Sequence, residues 1–316
     1  MQKPIVVVGS INLDLVAVAD RIPQVGETII GNSFKTFYGG KGANQAVAAA
    51  KLGYPVAMVG NVGDDSFGAN LRSGLEGAGV DTTYVNTVEG ASGVAVITIG
   101  VHGENNIVVV PGANNQLTPT LLERAAPLLQ SAGFLLAQLE IPLETVEYLA
   151  QFAKQHDIPL MLDPAPAREL SARLLRRLSW ITPNETETAT LLRIGFDNGD
   201  ENSYTVAESL LDCGVENVLL KLGSRGSLIA QGKLAKERVP AFSVNAVDTT
   251  AAGDAFNAGF AVALMRGSAV VRSAVFASAV AAISVTRAGA QTSMPTGDEV
   301  EDFLDTHSHE HIDSTT

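Results

Sequence analysis

Short apolar runs recur along the chain and alternate with longer stretches that repeat their apolar residues about every third or fourth position. The apolar runs predict strands over Ile5–Val8, Val56–Val59, Phe134–Gln138, Leu160–Leu162, Trp180–Thr182 and Val218–Lys221. The longer stretches predict helices over Ala43–Leu52, Ser66–Glu76, Pro119–Leu129, Leu143–Gln155, Glu185–Arg193 and Tyr204–Cys213, and two long helices near Ala252–Met265 and Ala269–Thr286. Continuous apolar strands that alternate with helices predict an α/β fold with a buried parallel sheet.

Two regions interrupt this alternation. They look like pairs of antiparallel strands with little helix between them, over Leu13–Ala19 with Glu27–Ile30 and over Gly93–Ile99 with Asn106–Val110. We expect them to form a small sheet that stands beside the main one as a lid. The lid strands, from about 12–38 and 92–111, are then inserted in one domain that covers residues 1–305.

The segment after that domain, residues 306–316, is polar, and this composition predicts a flexible tail. It carries His307, His309 and His311 at alternate positions. Exposure to solvent explains these histidines, and metal binding is the alternative.

The composition narrows the possible partners. The 316 residues include 21 Lys and Arg against 34 Asp and Glu, a net charge of −13, which disfavours nucleic-acid binding. Cys213 is the only cysteine, so no internal disulfide exists and a reducing compartment fits. The start MQKPIVVVGS is unlike a signal peptide, and the apolar helix near Ala274–Val285 is too short to cross a bilayer. We expect a cytoplasmic protein with no membrane partner.

The stretch VDTTAAGDAFNAG, residues 247–259, places an acid where a helix begins. Small residues allow a phosphate to approach the unpaired amides of a helix start, here Ala251, Ala252 and Gly253. Asp254, in the first turn, would repel that phosphate unless a substrate hydroxyl lay between them. A base beside an anion hole is what phosphoryl transfer needs. The alternative is an ordinary helix start, with Asp248 as the cap and Asp254 as a favourable first-turn acid.

Two separated motifs resemble the signatures of the PfkB carbohydrate kinases, in the same order. They are YGGKGANQAVAAAKLG at 38–53 and AVDTTAAGDAFNAGF at 246–260. Further stretches are similar to the ribose-phosphorylating branch of the family: GSINLD at 9–14, DPAPAREL at 163–170, TPNETE at 182–187, KLGSRG at 221–226 and TRAGAQTSMP at 286–295. The resemblance runs from about residue 4 to 305. It implies a three-layer α/β/α fold with a small β-sheet lid, and ATP-dependent phosphorylation of the 5-hydroxyl of D-ribose.

The resemblance also implies a sugar site. Its residues would be Asn12, Asp14, Gly40, Lys41, Asn44, Glu140 and Asp254. Carboxylates, amides and an ammonium suit sugar hydroxyls, and Glu140 follows an apolar strand, where open α/β sheets bind ligands. Turn chemistry after a strand also explains Asn12 and Asp14, and a glycine-rich helix start with a solvated lysine explains residues 39–44.

The catalytic and nucleotide-binding residues follow from the same resemblance. Asp254 would be the base, and Ala251, Ala252 and Gly253 would supply the anion hole. The nucleotide would contact Asn184, Leu222, Gly223, Ser224, Gly226 and Gly253. Many family members carry glycine where this chain has Ala251, although alanine is usual in the ribose-phosphorylating branch.

Two metal sites are implied. Asn184 and Glu187 form an N-x-x-E unit that would order Mg²⁺ and its waters, with Glu187 acting through water. The alternative is a helix-capping pattern. A monovalent cation, K⁺, would bind the side chains of Asp248 and Ser293 and the backbone carbonyls of Thr250, Ser284, Arg287 and Gly289.

The predicted partners are D-ribose, ATP and a second copy of the chain, paired through the lid sheet so that its exposed edges are covered. Two other functions remain open. One is a kinase for another small polyol, such as 2-deoxyribose, fructose or a nucleoside. The other is a non-catalytic sugar or nucleotide sensor, against which the intact Asp254, Asn184 and Glu187 count.

Overall fold

The strands and helices follow one another in nearly the predicted order. The computed structural model describes residues 2–194, 200–232 and 235–307. Over those residues the strands are β1 (Ile5–Val8), β2 (Asn12–Val18), β3 (Ser33–Gly39), β4 (Val56–Gly63), β5 (Asp81–Val88), β6 (Gly93–Ile99), β7 (Asn105–Val110), β8 (Phe134–Gln138), β9 (Leu160–Asp163), β10 (Trp180–Ile181), β11 (Asn217–Lys221), β12 (Ser227–Gln231) and β13 (Ala235–Val239). The α-helices are α1 (Lys41–Lys51), α2 (Ser66–Gly77), α3 (Pro119–Arg124), α4 (Ala126–Ser131), α5 (Leu143–Gln155), α6 (Ala172–Leu175), α7 (Glu185–Leu192), α8 (Asp200–Asp212), α9 (Ala252–Met265), α10 (Val270–Val285) and α11 (Gly297–Thr306).

The described residues form one large sheet of nine strands, in the order β13-β12-β11-β10-β9-β8-β1-β4-β5. The strands from β11 to β5 pair in parallel, whereas β12 and β13 add an antiparallel edge. The carboxyl ends of the parallel strands therefore share one edge of the sheet, which is where open α/β sheets bind ligands.

Helices cover both faces of this sheet. Along β1, the side chains of Ile5 and Val7 belong to the core beneath α1, α2, α9, α10 and α11. Val6 and Val8 point into a second core with α3, α5, α6 and α8. Since successive residues of a strand face opposite sides, a continuous apolar run is the sequence that two covered faces require. The predicted three-layer α/β/α fold is confirmed.

The lid is a separate sheet of four strands over the described residues, in the order β3-β2-β6-β7. Its pairs β2/β3 and β6/β7 are antiparallel, while β2 and β6 are parallel. The predicted strand at Glu27–Ile30 is wrong, because β3 lies at Ser33–Gly39. Glu27 instead closes a turn, in which its carboxylate accepts from the amide of Gln24 at 2.9 Å.

One predicted helix is divided. Pro119–Leu129 forms α3 and α4, which meet at Ala125. Pro127 lies in the first turn of α4, and its missing N–H cannot continue the hydrogen bonds of α3. The apolar periodicity continues through this break, and for that reason the sequence pattern suggested a single helix.

The C-terminal helix extends past the predicted domain boundary at residue 305. Thr306 belongs to α11, and the ring of His307 stacks on Phe303 with centroids 4.1 Å apart. His309 and His311 lie outside the described residues. Within the described part of the chain, no group of three or more His, Cys, Asp or Glu residues could hold a metal ion. Over the same residues, no helix has both the length and the apolarity that crossing a membrane requires.

Candidate active site

The candidate site lies where the first turn of α9 meets α1 at the carboxyl edge of the large sheet. Gln138, Asp163 and Lys221 are the last residues of β8, β9 and β11, so the sheet presents all three at this edge. Asp254 lies in the first turn of α9 and is 5% exposed. Four distant parts of the chain therefore contribute polar groups to one buried cluster.

Asp254 is held by two amide side chains of α1. Asn44 Nδ2 donates to its Oδ2 at 2.9 Å, and Gln45 Nε2 donates to its Oδ1 at 3.0 Å. Burial raises the pKa of Asp254 to about 6, against the opposing effect of the nearby Lys41 ammonium, while Asp163 adds to the rise. The carboxylate is thus fixed in position, and its pKa is close to neutral, which suits a general base.

Asn12 and Asp14, two of the predicted sugar-binding residues, lie at the start of β2. Asn12 is 3% exposed, and its Oδ1 accepts from Asn114 Nδ2 at 2.7 Å. Burial raises the pKa of Asp14 to about 7, and the carboxylates of Glu140 and Asp254 add to the rise. Three carboxyl groups therefore influence one another across a small space.

Glu140 connects the end of β8 with the start of α1. Its Oε2 accepts from Ser10 Oγ at 2.5 Å and from the Lys41 amide at 3.1 Å. Gly40 precedes this helix with a φ of +86°, and a Cβ there would stand 2.7 Å from the Asn12 amide. Glycine is thus required here both by the backbone conformation and by the lack of space.

Lys41 is a cation that lies among these acidic side chains. Burial disfavours its charged form, but the carboxylates of Asp254, Asp163, Glu140 and Glu187 outweigh that effect and raise the pKa of Lys41. The ammonium therefore stays charged at neutral pH and offsets the mutual repulsion of the surrounding acids.

A cavity of about 330 Å³ adjoins the first turn of α9. Its lining includes Gly223, Ser224, Gly226, Thr249, Ala252, Gly253 and Lys221, and an apolar wall of Ala241, Phe242, Val244, Ala246, Phe256, Ala281, Ala282 and Val285. The predicted nucleotide residues Gly223, Ser224, Gly226 and Gly253 are thus brought together. Leu222 does not line the cavity, because its side chain packs into the core.

One of the amides predicted to form the anion hole, that of Ala252, already has a hydrogen-bond partner. The Ala252 amide donates to the Thr249 carbonyl at 3.2 Å, so its hydrogen bond stays within the loop. Ala251, with a φ of 59°, turns the chain into α9. Gly253 and Asp254 follow in the first turn, where amides have no acceptor within the helix.

Asn184 and Glu187 form a complete capping box at the start of α7. Glu187 accepts from the Asn184 amide at 2.7 Å and from its Nδ2 at 2.9 Å. Burial raises the pKa of Glu187 against the opposing charge of Lys221, and Asp163 adds to the rise. Asn184 and Glu187 therefore do cap the helix, as the alternative interpretation held. This role does not prevent Glu187 from also binding a metal ion. The carboxylate of Glu187 supplies the oxygen donors that Mg²⁺ prefers.

The loop that follows α10 packs against the loop that precedes α9. Asp248 accepts from the amide of Thr250 through Oδ1 and from the amide of Gly289 through Oδ2, each at 2.9 Å. Partial burial opposes ionisation, but these hydrogen bonds lower the pKa of Asp248. The Ser284 carbonyl accepts from the Arg287 amide at 3.2 Å, and the fully buried Ser293 donates to Ala290. A carboxylate, a hydroxyl and several carbonyls suit a hard cation.

Several polar residues of the cluster were missed by the sequence analysis. They are Gln45, Asn114, Gln138, Asp163 and Lys221. Gln45 Nε2 donates to both Asp254 and Asp163, at 3.0 and 3.2 Å, and its Oε1 accepts from Gln138 Nε2 at 2.7 Å. For three of them the sequence position could have indicated a role, because Gln138, Asp163 and Lys221 each end an apolar strand.

Comparison with known proteins identifies the class. The sequence model of the pfkB family of carbohydrate kinases matches residues 2–297, and the chain belongs to that family. The chain is 42% identical over 307 residues to a ribokinase of Haemophilus influenzae, which covers 96% of this chain and 99% of the relative. It is 41% identical over 302 residues to a deoxyribokinase of Salmonella typhi, and this match covers 95% of this chain and 98% of the relative.

A solved structure, Arabidopsis thaliana ribokinase complexed with ribose and ATP, is also similar to this chain. Its TM-score is 0.91 at 35% identity, and the match covers 96% of this chain and 99% of the other. The lid, the large sheet and the site elements thus have counterparts over almost the whole length.

Proposed function

We propose that the protein catalyses the ATP-dependent phosphorylation of the 5-hydroxyl of D-ribose, which gives D-ribose 5-phosphate and ADP. The observation that carries the proposal is the position of Asp254. Asn44 and Gln45 hold its carboxylate beside the sugar-site acids, and the adjacent Gly253 lines the cavity. The choice of ribose is supported by the relatives named as ribokinases and by the complex with ribose and ATP.

In this mechanism Asp254 orients the 5-hydroxyl and accepts its proton as the bond to phosphorus forms. The transition state is largely dissociative, so the proton is taken late, and orientation is the main contribution. The first-turn amides of α9 at Gly253 and Asp254 stabilise negative charge on the transferred group. The Ala251 and Ala252 amides complete the anion hole when the loop 249–252 rearranges around the phosphate.

The sugar would be held through its hydroxyl groups. Asp14 and Glu140 would accept hydrogen bonds, and Asn12, Lys41 and Asn44 would donate them. Gly40 lets the backbone approach closely. Closure of the lid over the sugar would exclude water, which otherwise could accept the phosphoryl group.

The nucleotide phosphates would contact Gly223, Ser224, Gly226 and Gly253, with the base in the apolar part of the cavity. Asn184 and the backbone of Leu222 would border the phosphates. Glu187 would hold Mg²⁺ through water. When bound, Mg²⁺ neutralises charge on the phosphate oxygens.

The experiment is an ADP-coupled assay over ribose, 2-deoxyribose, fructose and adenosine, with and without K⁺. The highest kcat/KM is expected for ribose. A preference for 2-deoxyribose, which the similarity to a deoxyribokinase makes the second candidate, would change the substrate and not the reaction. Adenosine as the best substrate would overturn the sugar assignment. Tight ribose binding without ADP release would favour a sensor.

We further propose that K⁺ activates the enzyme by fixing the loop before α9. The ligands would be the side chains of Asp248 and Ser293 with the carbonyls of Thr250, Ser284, Arg287 and Gly289. Asp248→Ala is expected to raise the K⁺ concentration for half-maximal activity by about tenfold or more, because it removes a charged ligand. Titration with KCl, against choline chloride at equal ionic strength, measures this. A wild-type enzyme indifferent to K⁺ would refute the site.

A homodimer through the lid is also proposed. All six residues of the edge strand β7 are exposed, including Ile107, Val108, Val109 and Val110 at 54, 62, 45 and 47%. Such an apolar edge is a template for pairing with another strand.

We also propose a cytoplasmic location, since the single cysteine, Cys213, is free and suits a reducing compartment.

Val108→Asp is expected to shift the protein from dimer to monomer, because it buries a charge in the pairing surface. Sedimentation velocity measures the change, and the nearly isosteric Val108→Thr serves as the control that retains the dimer. A wild-type protein that sediments as a monomer at micromolar concentration would contradict the proposal.

A further inference from the structure

Lys221 is the one charged residue among the described residues that line the cavity. It is the last residue of β11, and its side chain is 13% exposed. A lysine on a largely apolar cavity wall loses hydration, so its ammonium needs partners of opposite charge.

The ammonium lies at the end of the cavity where the anion hole begins. Lys221 Nζ stands 3.4 Å from the position that a Cβ on Gly253 would occupy. Gly253 is adjacent to Asp254 and supplies one of the first-turn amides. A phosphoryl group bound by those amides would therefore be within reach of Nζ.

Asp163 fixes Lys221 in this position. Lys221 Nζ donates to Asp163 Oδ1 at 3.0 Å, and the other oxygen of Asp163 accepts from Gln45 Nε2 at 3.2 Å. The same Gln45 nitrogen donates to Asp254 at 3.0 Å. The buried chain Lys221–Asp163–Gln45–Asp254 thus joins the cavity to the proposed base. An ammonium has three N–H donors. Within the described residues, Asp163 is the only hydrogen-bond acceptor of Nζ.

We propose that Lys221 is a catalytic residue whose ammonium donates hydrogen bonds to oxygens of the transferred phosphoryl group. The inference rests on the proposed function. In the step, the bond between the sugar 5-oxygen and the γ-phosphorus forms, and the bond between that phosphorus and the ADP oxygen breaks. The hydroxyl proton passes to Asp254, and Lys221 keeps its protons. A fixed positive charge at the equatorial oxygens stabilises the transition state more than bound ATP.

The test compares Lys221→Met with the wild type in turnover and in two binding measurements. We expect kcat to fall about 10²–10³-fold. Binding of ADP alone, measured by calorimetry, is expected to change less than about threefold. Binding of ADP with aluminium fluoride and ribose, which places a charged mimic at the position of the transferred group, is expected to weaken in proportion to kcat. Lys154→Met is the control, because Lys154 forms an exposed ion pair with Glu216, at 2.8 Å.

A second variant separates catalysis from charge pairing. Lys221→Met leaves Asp163 buried without its cation, which can prevent folding. Lys221→Met/Asp163→Asn removes both charges and is expected to fold and to show the same low kcat. Recovery of wild-type kcat in the double variant would overturn the proposal, because Lys221 would then only neutralise Asp163. An equal loss of ADP and aluminium fluoride binding would also overturn it. Failure of the proposed function is distinct, since the wild type itself would then phosphorylate no sugar.

Discussion

Asp254→Asn is expected to lower the turnover of ribose by about 10²–10⁴-fold while ribose still binds. The amide cannot accept the hydroxyl proton, but it preserves the shape of the carboxylate and can still hydrogen-bond the sugar. The amide oxygen can still accept from Gln45 Nε2. Its new NH₂ group would face the Asn44 donor, so we expect the Asn44 amide to turn over and present its Oδ1, which has no partner among the described residues. The measurements are kcat from the ADP-coupled assay and the ribose Kd from calorimetry.

A matched control exists at another helix start. Asp298 is an exposed acid in the first turn of α11, and it is not among the residues that line the cavity. Asp298→Asn is expected to leave kcat unchanged, because a first-turn acid in solvent interacts only with the helix dipole. Near-normal turnover in Asp254→Asn would remove Asp254 from its proposed role and would leave only its helix-start function.

Lys41→Met is expected to move the acid limb of the pH–rate profile to higher pH. In the wild type, kcat is expected to rise with pH through about 6, because Asp254 must be ionised to accept a proton and its pKa is about 6. Lys41 lowers that pKa. Without the ammonium the pKa of Asp254 rises, by about 1–3 units for a close charge. A pKa of about 8 leaves about one tenth of Asp254 ionised at pH 7, so a rise of two units by itself lowers kcat at pH 7 about tenfold.

Lys41→Arg separates the charge from the shape of the side chain. It keeps a cation among the carboxylates, so its acid limb is expected to stay near pH 6 even if ribose binds more weakly. The pH profiles of kcat for the three proteins, from pH 5 to 9, provide the comparison. An acid limb that is identical in Lys41→Met and the wild type would show that Lys41 does not control the ionisation of Asp254.

Local patterns predicted elements best where neighbouring residues alone decide the conformation. Ile5–Val8, Phe134–Gln138 and Leu143–Gln155 were predicted to the residue, and the helix predicted near Ala252–Met265 has those bounds. The strand at Glu27–Ile30 failed because β-propensity does not determine pairing; the partner of β2 is β3, at Ser33–Gly39.

The edge strands β12 and β13 were also not predicted as part of the large sheet. Their antiparallel pairing places them beside β11 at the end of a parallel sheet. Their sequence has no following helix to complete the βαβ rhythm on which the prediction depended.

The amino-acid sequence by itself determined the layers, the family signatures and the two helix starts that carry Lys41 and Asp254, because each depends on residues close together in the chain. Only the tertiary structure decided how these groups act on one another. Gln45 meets Asp163 and Asp254 across 118 and 209 residues of sequence. The raised pKa of Asp254 and the placement of Lys221 beside Gly253 come from burial and from charges that only folding brings near.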